Sequence, residues 1–419
     1  MTTGIGDVAV YIPRLLMRLN RLLDRYALNP TVRGFIERAI EKTGQIGVRF
    51  PHHWEDSVTM AAQAAFRVLG RMSDKAVASL RFVAVGTETG TDMAKPIASH
   101  VSGMLREAGY PIPESIATFQ TQHACASGTF SLLGVNALLA QSRPGDRGLV
   151  ICTDVARYEQ GTSAEVTQGA GAVAMIAEQD CGLLELDMRS AGYASRDVDD
   201  FFRPVGESTP RVRGKFSMEM YRETIESAFL DHCRQLDRDP REVLRSTDLF
   251  AFHAPFHRLP RETLKAILAK YLDLGEHESE EFLRERDFDA SLAPAAQCGN
   301  LYSGSLFLGL THLLHHRFVK VGPAIVGQRV LLLSYGSGNV AVALSGTVTE
   351  KAPQTMAKWD LDRDLTHAHD ADLSDYDAWM AADDDSHRGA NGDAPTIPAD
   401  SFYLSGIRED GYRLYGWQS

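Results

Sequence analysis

The run His123-Ala124-Cys125-Ala126-Ser127-Gly128-Thr129 opens an apolar stretch of helical character. A thiol at a helix start feels the partial positive charge of unpaired backbone N–H groups, which favours thiolate and nucleophilic attack. Its small neighbours leave room for a long, thin substrate. A buried packing cysteine explains the motif about equally well, so the companion residues decide between the two. Glu88 stands in Gly86-Thr87-Glu88-Thr89-Gly90, directly after the strand-like run Arg81–Val85. Carboxylates at strand ends of α/β folds face ligand crevices, and a partly apolar cleft raises their pKa into the range useful for exchanging protons with a weak carbon acid. A solvated turn glutamate is the competing reading. His253 ends the apolar run DLFAFH, and Pro255 marks where the chain leaves the strand, which aims the imidazole at a strand end. Asn300, in Cys298-Gly299-Asn300-Leu301-Tyr302-Ser303-Gly304, can donate an amide hydrogen bond to a substrate oxygen or simply form a turn. Ser334-Tyr335-Gly336-Ser337-Gly338 offers backbone N–H groups for an oxyanion hole and carries no dinucleotide fingerprint.

These residues need a frame that brings distant segments together. Short apolar runs alternate with helix-like stretches, the rhythm of α/β architecture. Gly148–Thr153 and Gly171–Ile176 read as buried strands, and Asp56–Leu69 as a helix capped by Asp56 or Ser57. The second half repeats the first. Asp248–His253 matches Arg81–Val85, Cys298–Leu308 matches Cys125–Leu133, Arg329–Ser334 matches Gly148–Thr153, and Val340–Leu344 matches Gly171–Ile176. The division expected is 1–180 bearing the nucleophile, 181–350 bearing His253 and Asn300, and a 351–419 extension. Within that extension, Asp362–Asp385 and Gly389–Pro398 read as a surface excursion, and the aromatic ending through Trp417 as a segment that docks back.

Bulk properties exclude other classes. With 419 residues, 44% of them hydrophobic, the chain can bury a large core, and its net charge of −12 argues against nucleic acid and anionic membranes. Five unevenly spaced cysteines and no signal-like start suggest reduced thiols in a cytoplasmic, soluble protein. His312, His315 and His316, and His367 with His369 and Asp370, lack the supporting partners a metal site needs.

Taken in order, GIGDVAVYIP, EDSVTMAAQAA, VGTETGTD, HACASGT, DVARY, TQGAGAVAM, GKFSMEMY, FHAPF, GNLYSGSL, SYGSG and the ending FYLSGIREDGYRLYGW resemble the hydroxymethylglutaryl-CoA synthases of the thiolase-like condensing enzymes, along nearly the whole chain. The resemblance implies a layered α-β-α-β-α fold of two pseudo-repeated halves and a homodimer. It implies Cys125 as acyl-accepting nucleophile, Glu88 as general acid–base, His253 polarising a second thioester with help from Asn300, and Tyr158 and Ser337 lining the acyl site beside Gly336. No tightly bound cofactor is implied; acetyl-CoA and acetoacetyl-CoA are the implied substrates, or acyl-carrier-protein thioesters as in polyketide β-branching relatives. Two rivals remain: a decarboxylative or Claisen-type condensation with Glu88 in a structural role, and an inactive scaffold, against which the joint presence of Cys125, Glu88, His253 and Asn300 argues. Ala126 departs from the family, many of whose members carry tyrosine there. Candidate contacts for the CoA phosphates are Arg258, Arg261 and Lys265 after the histidine motif, and Arg211, Arg213 and Lys215 before the long helix.

Overall fold

Ten strands share one mixed sheet in the computed structural model, which describes residues 2–382 and 397–419. Leu80–Gly86 runs parallel to Arg147–Ala156, which pairs antiparallel with Gly169–Gln179, which pairs antiparallel with Thr3–Tyr11. The same pattern recurs with Leu249–Phe252, Arg329–Gly336, Val340–Val348 and Leu184–Leu186. The two runs join back to back through Thr3–Tyr11 and Leu184–Leu186. The rhythm read from the sequence is thus a repeat of strand order and direction.

Strand residues alternate between two cores because successive side chains point to opposite faces. Val150, Cys152, Val173 and Met175 face inward with Leu332 and Val342, whereas Leu149, Ile151, Ala172 and Ala174 face one outer layer and Leu331, Leu333 and Ala343 the other. Helices Ser127–Leu139 and Ser305–Val321 supply the inward core; Ser57–Leu69 and Ile97–Glu107 cover one outer face, Gly214–Gln235 and Arg258–Leu272 the other. That makes five layers, helix–sheet–helix–sheet–helix. The helix Ser127–Leu139 has no charged residue, as a central position requires. Each large aliphatic side chain buried this way contributes about 1.5–3 kcal/mol.

Asp56 caps Ser57–Leu69 in a capping box with Thr59. Its second carboxylate oxygen accepts from Arg413 and Tyr415 of the terminal hairpin Ser401–Ile407/Arg413–Gln418, where Phe402 and Trp417 pack on Phe66. The aromatic ending does dock. The acidic stretch before it is not the surface excursion expected. His369–Asp370 pairs parallel with Leu15–Leu16, and helix Leu373–Ala381 buries Tyr376 completely and stacks Trp379 on Phe50. Buried area outweighs the local density of carboxylates, of which Asp370, Asp372 and Asp375 are exposed; positions 383–385 of the stretch lie outside the described residues. The turn-rich run Gly389–Pro398 lies outside the described residues, apart from its last two positions. Among the described residues no helix is long and apolar enough to cross a membrane.

Candidate active site

Two close backbone approaches seat the nucleophile. A Cβ on Gly86 would lie 2.5 Å from the Ser127 carbonyl carbon, and one on Gly336 would lie 2.9 Å from Ala126 N, so both strand ends abut the start of the nucleophile helix. Ala124 adopts a left-handed φ of 41°, a conformation that costs an L-residue roughly 1–2 kcal/mol. This turn lifts Cys125 out of the chain just before Ala126 and the first helical residue, Ser127. Cys125 remains partly accessible, with Tyr158, Tyr302, Ala164 and Phe201 packed around it.

Glu88 meets it. The thiol Sγ donates to Glu88 Oε2 across 3.9 Å, and the glutamate side chain is only 5% exposed. Burial pushes the Glu88 carboxyl up to about 8, against the lowering influence of Arg203. Burial, with the negative charges of Glu88 and Asp154, also holds the Cys125 thiol well above its ordinary range. The thiolate expected from the helix start is therefore not the resting form. Desolvation and two carboxylates outweigh a partial dipole charge.

His253 follows strand Leu249–Phe252 as expected, 1% exposed, its backbone N–H bonded to Leu333. Tyr221 donates to its carbonyl oxygen at 2.6 Å, with the two rings 6.4 Å apart. Burial lowers the imidazole to about 3, so it is neutral, and its Nδ1 has no hydrogen-bond partner. Burial raises the Tyr221 hydroxyl well above its ordinary range, and the charge of an ionised Cys125 adds to that rise. Asn300 is buried, and its Oδ1 accepts from Tyr302 N–H at 2.8 Å and from the Ser305 hydroxyl at 2.9 Å. Those bonds fix the amide so that its NH₂ is the donor, and it is directed at the Tyr158 hydroxyl. Tyr158 is itself held by its backbone N–H on Gln168 Oε1.

Three buried charges were not foreseen. Asp154 lies near the end of strand Arg147–Ala156, and its Oδ1 accepts from the Thr87 hydroxyl, Glu88 N–H, and the Thr89 N–H and hydroxyl. Its Oδ2 accepts from Ser303 N–H at 3.0 Å and from the Ser303 hydroxyl, so one carboxylate clamps the Glu88 turn to the Asn300 turn. Asp200 accepts from Gly338 N–H and from the Tyr335 hydroxyl. The Gly338 N–H is therefore committed to structure rather than free for an oxyanion; Gly336 is buried beside Ala126, and Ser337 is partly exposed. Arg203, carried by the short hairpin Phe201–Phe202/Arg211–Val212, pairs with Glu88. A charged residue inside an otherwise apolar strand was the readable signal for Asp154; Arg203 and Asp200 offered none.

The chain matches the family signature "Hydroxymethylglutaryl-coenzyme A synthase N terminal" over residues 2–181 and its "C terminal" counterpart over residues 265–418. It belongs to the hydroxymethylglutaryl-CoA synthase family. The hydroxymethylglutaryl-CoA synthase of Enterococcus faecalis is 29% identical over 382 residues, 91% of this chain and 92% of that protein. The structure of MvaS in complex with 3-hydroxy-3-methylglutaryl coenzyme A superposes with a TM-score of 0.85 at 30% identity, covering 100% and 99% of the two chains. The curacin-pathway HMG synthase bound to holo donor-ACP shares the fold, with a TM-score of 0.87 at 24% identity over 100% of both chains. As a hydroxymethylglutaryl-CoA synthase family member the chain is an acyltransferase of the condensing type.

Within this family frame, the basic candidates separate. Arg261 grips Glu280 through two nitrogens and also meets Asp289, while Lys265 bonds Glu276 and Glu280. Arg211 pairs with Glu207, and Arg213 with Asp199. Those four cations are engaged by neighbouring carboxylates. Lys215 is 90% exposed and 3.9 Å from Glu219, and Arg258 is exposed with no ion pair among the described residues. His312 Nδ1 donates to the Ala290 carbonyl and His316 faces Asp287; the described residues hold no cluster of three or more His, Cys, Asp or Glu side chains suited to a metal ion.

Proposed function

We propose that the chain condenses an acetyl group with an acetoacetyl thioester and hydrolyses the product to a 3-hydroxy-3-methylglutaryl thioester. Cys125 takes the acetyl group from its carrier, Glu88 removes a methyl proton, and the enolate attacks the acceptor ketone beside His253. Water then frees the product from sulfur. A neutral His253 serves as hydrogen-bond donor to the acceptor oxygen, assisted by the Asn300 amide. The observation that carries this reading is the 3.9 Å contact between Cys125 Sγ and Glu88 Oε2, inside a pocket where burial holds the carboxyl at about 8. A base so poised exchanges protons with a carbon acid near neutral pH. Its ionised fraction grows as pH rises, so the condensation rate should climb by roughly tenfold per pH unit below about 8 and level above it.

CoA thioesters are the substrates favoured, with Arg258 or Lys215 as the cation left for phosphate. The likeness to MvaS with bound 3-hydroxy-3-methylglutaryl coenzyme A supports CoA; a homodimer, for which strand Ala117–Thr121 leaves a sheet edge open, is part of the same reading. Intact-mass measurement with acetyl-CoA tests it: the protein gains one acetyl group, and Cys125→Ser gains none. Thiol release with acetoacetyl-CoA against acetoacetyl carrier protein then separates the carriers. Turnover only on the carrier-protein substrate would overturn the CoA assignment, and no acetyl gain would overturn the whole.

A further inference from the structure

The two oxygens of the Glu88 carboxylate have different partners. Oε2 accepts from the Cys125 thiol at 3.9 Å, whereas Oε1 accepts from Arg203 Nη2 at 3.0 Å. The second arm of the guanidinium, Nη1, donates to the Glu88 backbone carbonyl at 2.8 Å. One side chain thus holds both the carboxylate and the turn that carries it. Arg203 is 17% exposed, lies 6.0 Å from the centre of the Tyr302 ring, and keeps a buried Nε without a hydrogen-bond partner. Resting on the reading of Glu88 as the base, we infer that Arg203 is a positioning residue that pins Oε1, turns Oε2 toward the nucleophile and keeps the carboxylate available for proton transfer.

The charges facing Glu88 leave Arg203 alone in this role. Asp154, from the end of strand Arg147–Ala156, adds negative charge, as does Cys125 when it ionises. Tyr158 and Tyr302 present hydroxyls that burial keeps protonated. Arg203 is the cation that opposes burial at this carboxyl, and it sits on a short hairpin that shares no backbone pairing with the main sheet. Its removal leaves an ionised Glu88 among buried carboxylates and apolar rings.

The test is the pH profile of the condensation step, measured with the whole protein on preformed acetyl-enzyme. In Arg203→Met the acidic limb should move up by about one pH unit or more, with about a tenfold or greater loss at pH 7 that shrinks as pH rises. Arg203→Gln, which keeps a donor but no charge, should show the same displacement, and Arg203→Lys should lie between it and the parent. Thermal unfolding checks that each variant is folded; if Met is not, the Gln and Lys pair carries the test. An unmoved limb, or a loss equal at every pH, overturns the inference. Glu88→Ala separates the two levels: full-rate condensation there would sink the base assignment, whereas a dead Glu88→Ala beside an unshifted Arg203→Gln sinks only the role of Arg203.

Discussion

The two turns that lead into the central helices have a backbone feature in common and different chemistry around them. Both contain a residue forced to positive φ, Ala124 at 41° in the first and Tyr302 at 42° in the second. Each leads into one of the two central helices. Around the first turn lie a protonated thiol and, beside an arginine, a carboxyl raised to about 8, whose proton can move near neutral pH. The second half supplies a neutral imidazole and, in its turn, an amide whose oxygen is already satisfied. On the proposed reading, a duplicated scaffold offers proton transfer from one side and neutral hydrogen-bond donation from the other, and Asp154 ties the Glu88 turn to the Asn300 turn. Difference in burial and partners, not in backbone, makes the two sides unlike.

That division can be broken from either side. Glu88→Gln should have the largest effect, lowering condensation by about 10²- to 10⁴-fold while acetyl loading of Cys125 persists, as single-turnover mass measurements would read. His253→Asn should instead raise the Michaelis constant for the acceptor and leave the pH limb near 8 in place; a moved limb would show that the histidine, not the glutamate, titrates. Asp154→Ala strips partners from Thr87, Thr89 and Ser303 at once and should cost about 3–5 kcal/mol in urea unfolding, with activity falling alongside. Tyr376→Phe removes a hydroxyl that donates to Glu165 at 3.0 Å and accepts from Gln168, which holds the Tyr158 N–H. It should cost about 1–2 kcal/mol. Smallest of all, Arg261→Met should change the Michaelis constant for a CoA thioester by about twofold or less, because its guanidinium already faces Glu280 and Asp289. Arg258→Ala gives the contrasting measurement.

The legible parts were those with local grammar. Strand alternation, the Asp56 cap, the small-residue turn around Cys125 and the order of the repeat all depend on neighbours a few residues apart. The missed parts depend on long-range pairing. Arg203 finds Glu88 across 115 positions, and Ser303 finds Asp154 across 149. Nothing in an isolated Phe-Phe-Arg-Pro announces that its arginine will be buried against a carboxylate. The carboxylates that meet the basic clusters were hidden for the same reason. Arg261 and Lys265 stand as a pair in sequence, but helix Glu276–Glu285 brings carboxylates onto them. The acidic stretch after 360 likewise hid the burial of Tyr376 and the stacking of Trp379 on Phe50, which outweigh the charges around them.

The most direct trial is to load Glu88→Gln with one acetyl group, add acetoacetyl-CoA, and follow the adduct by mass beside the parent protein. The account predicts that the parent discharges its acetyl group into product while the variant keeps it on Cys125 undiminished. A variant that empties at the parental rate would contradict the pairing of this sulfur with this carboxylate.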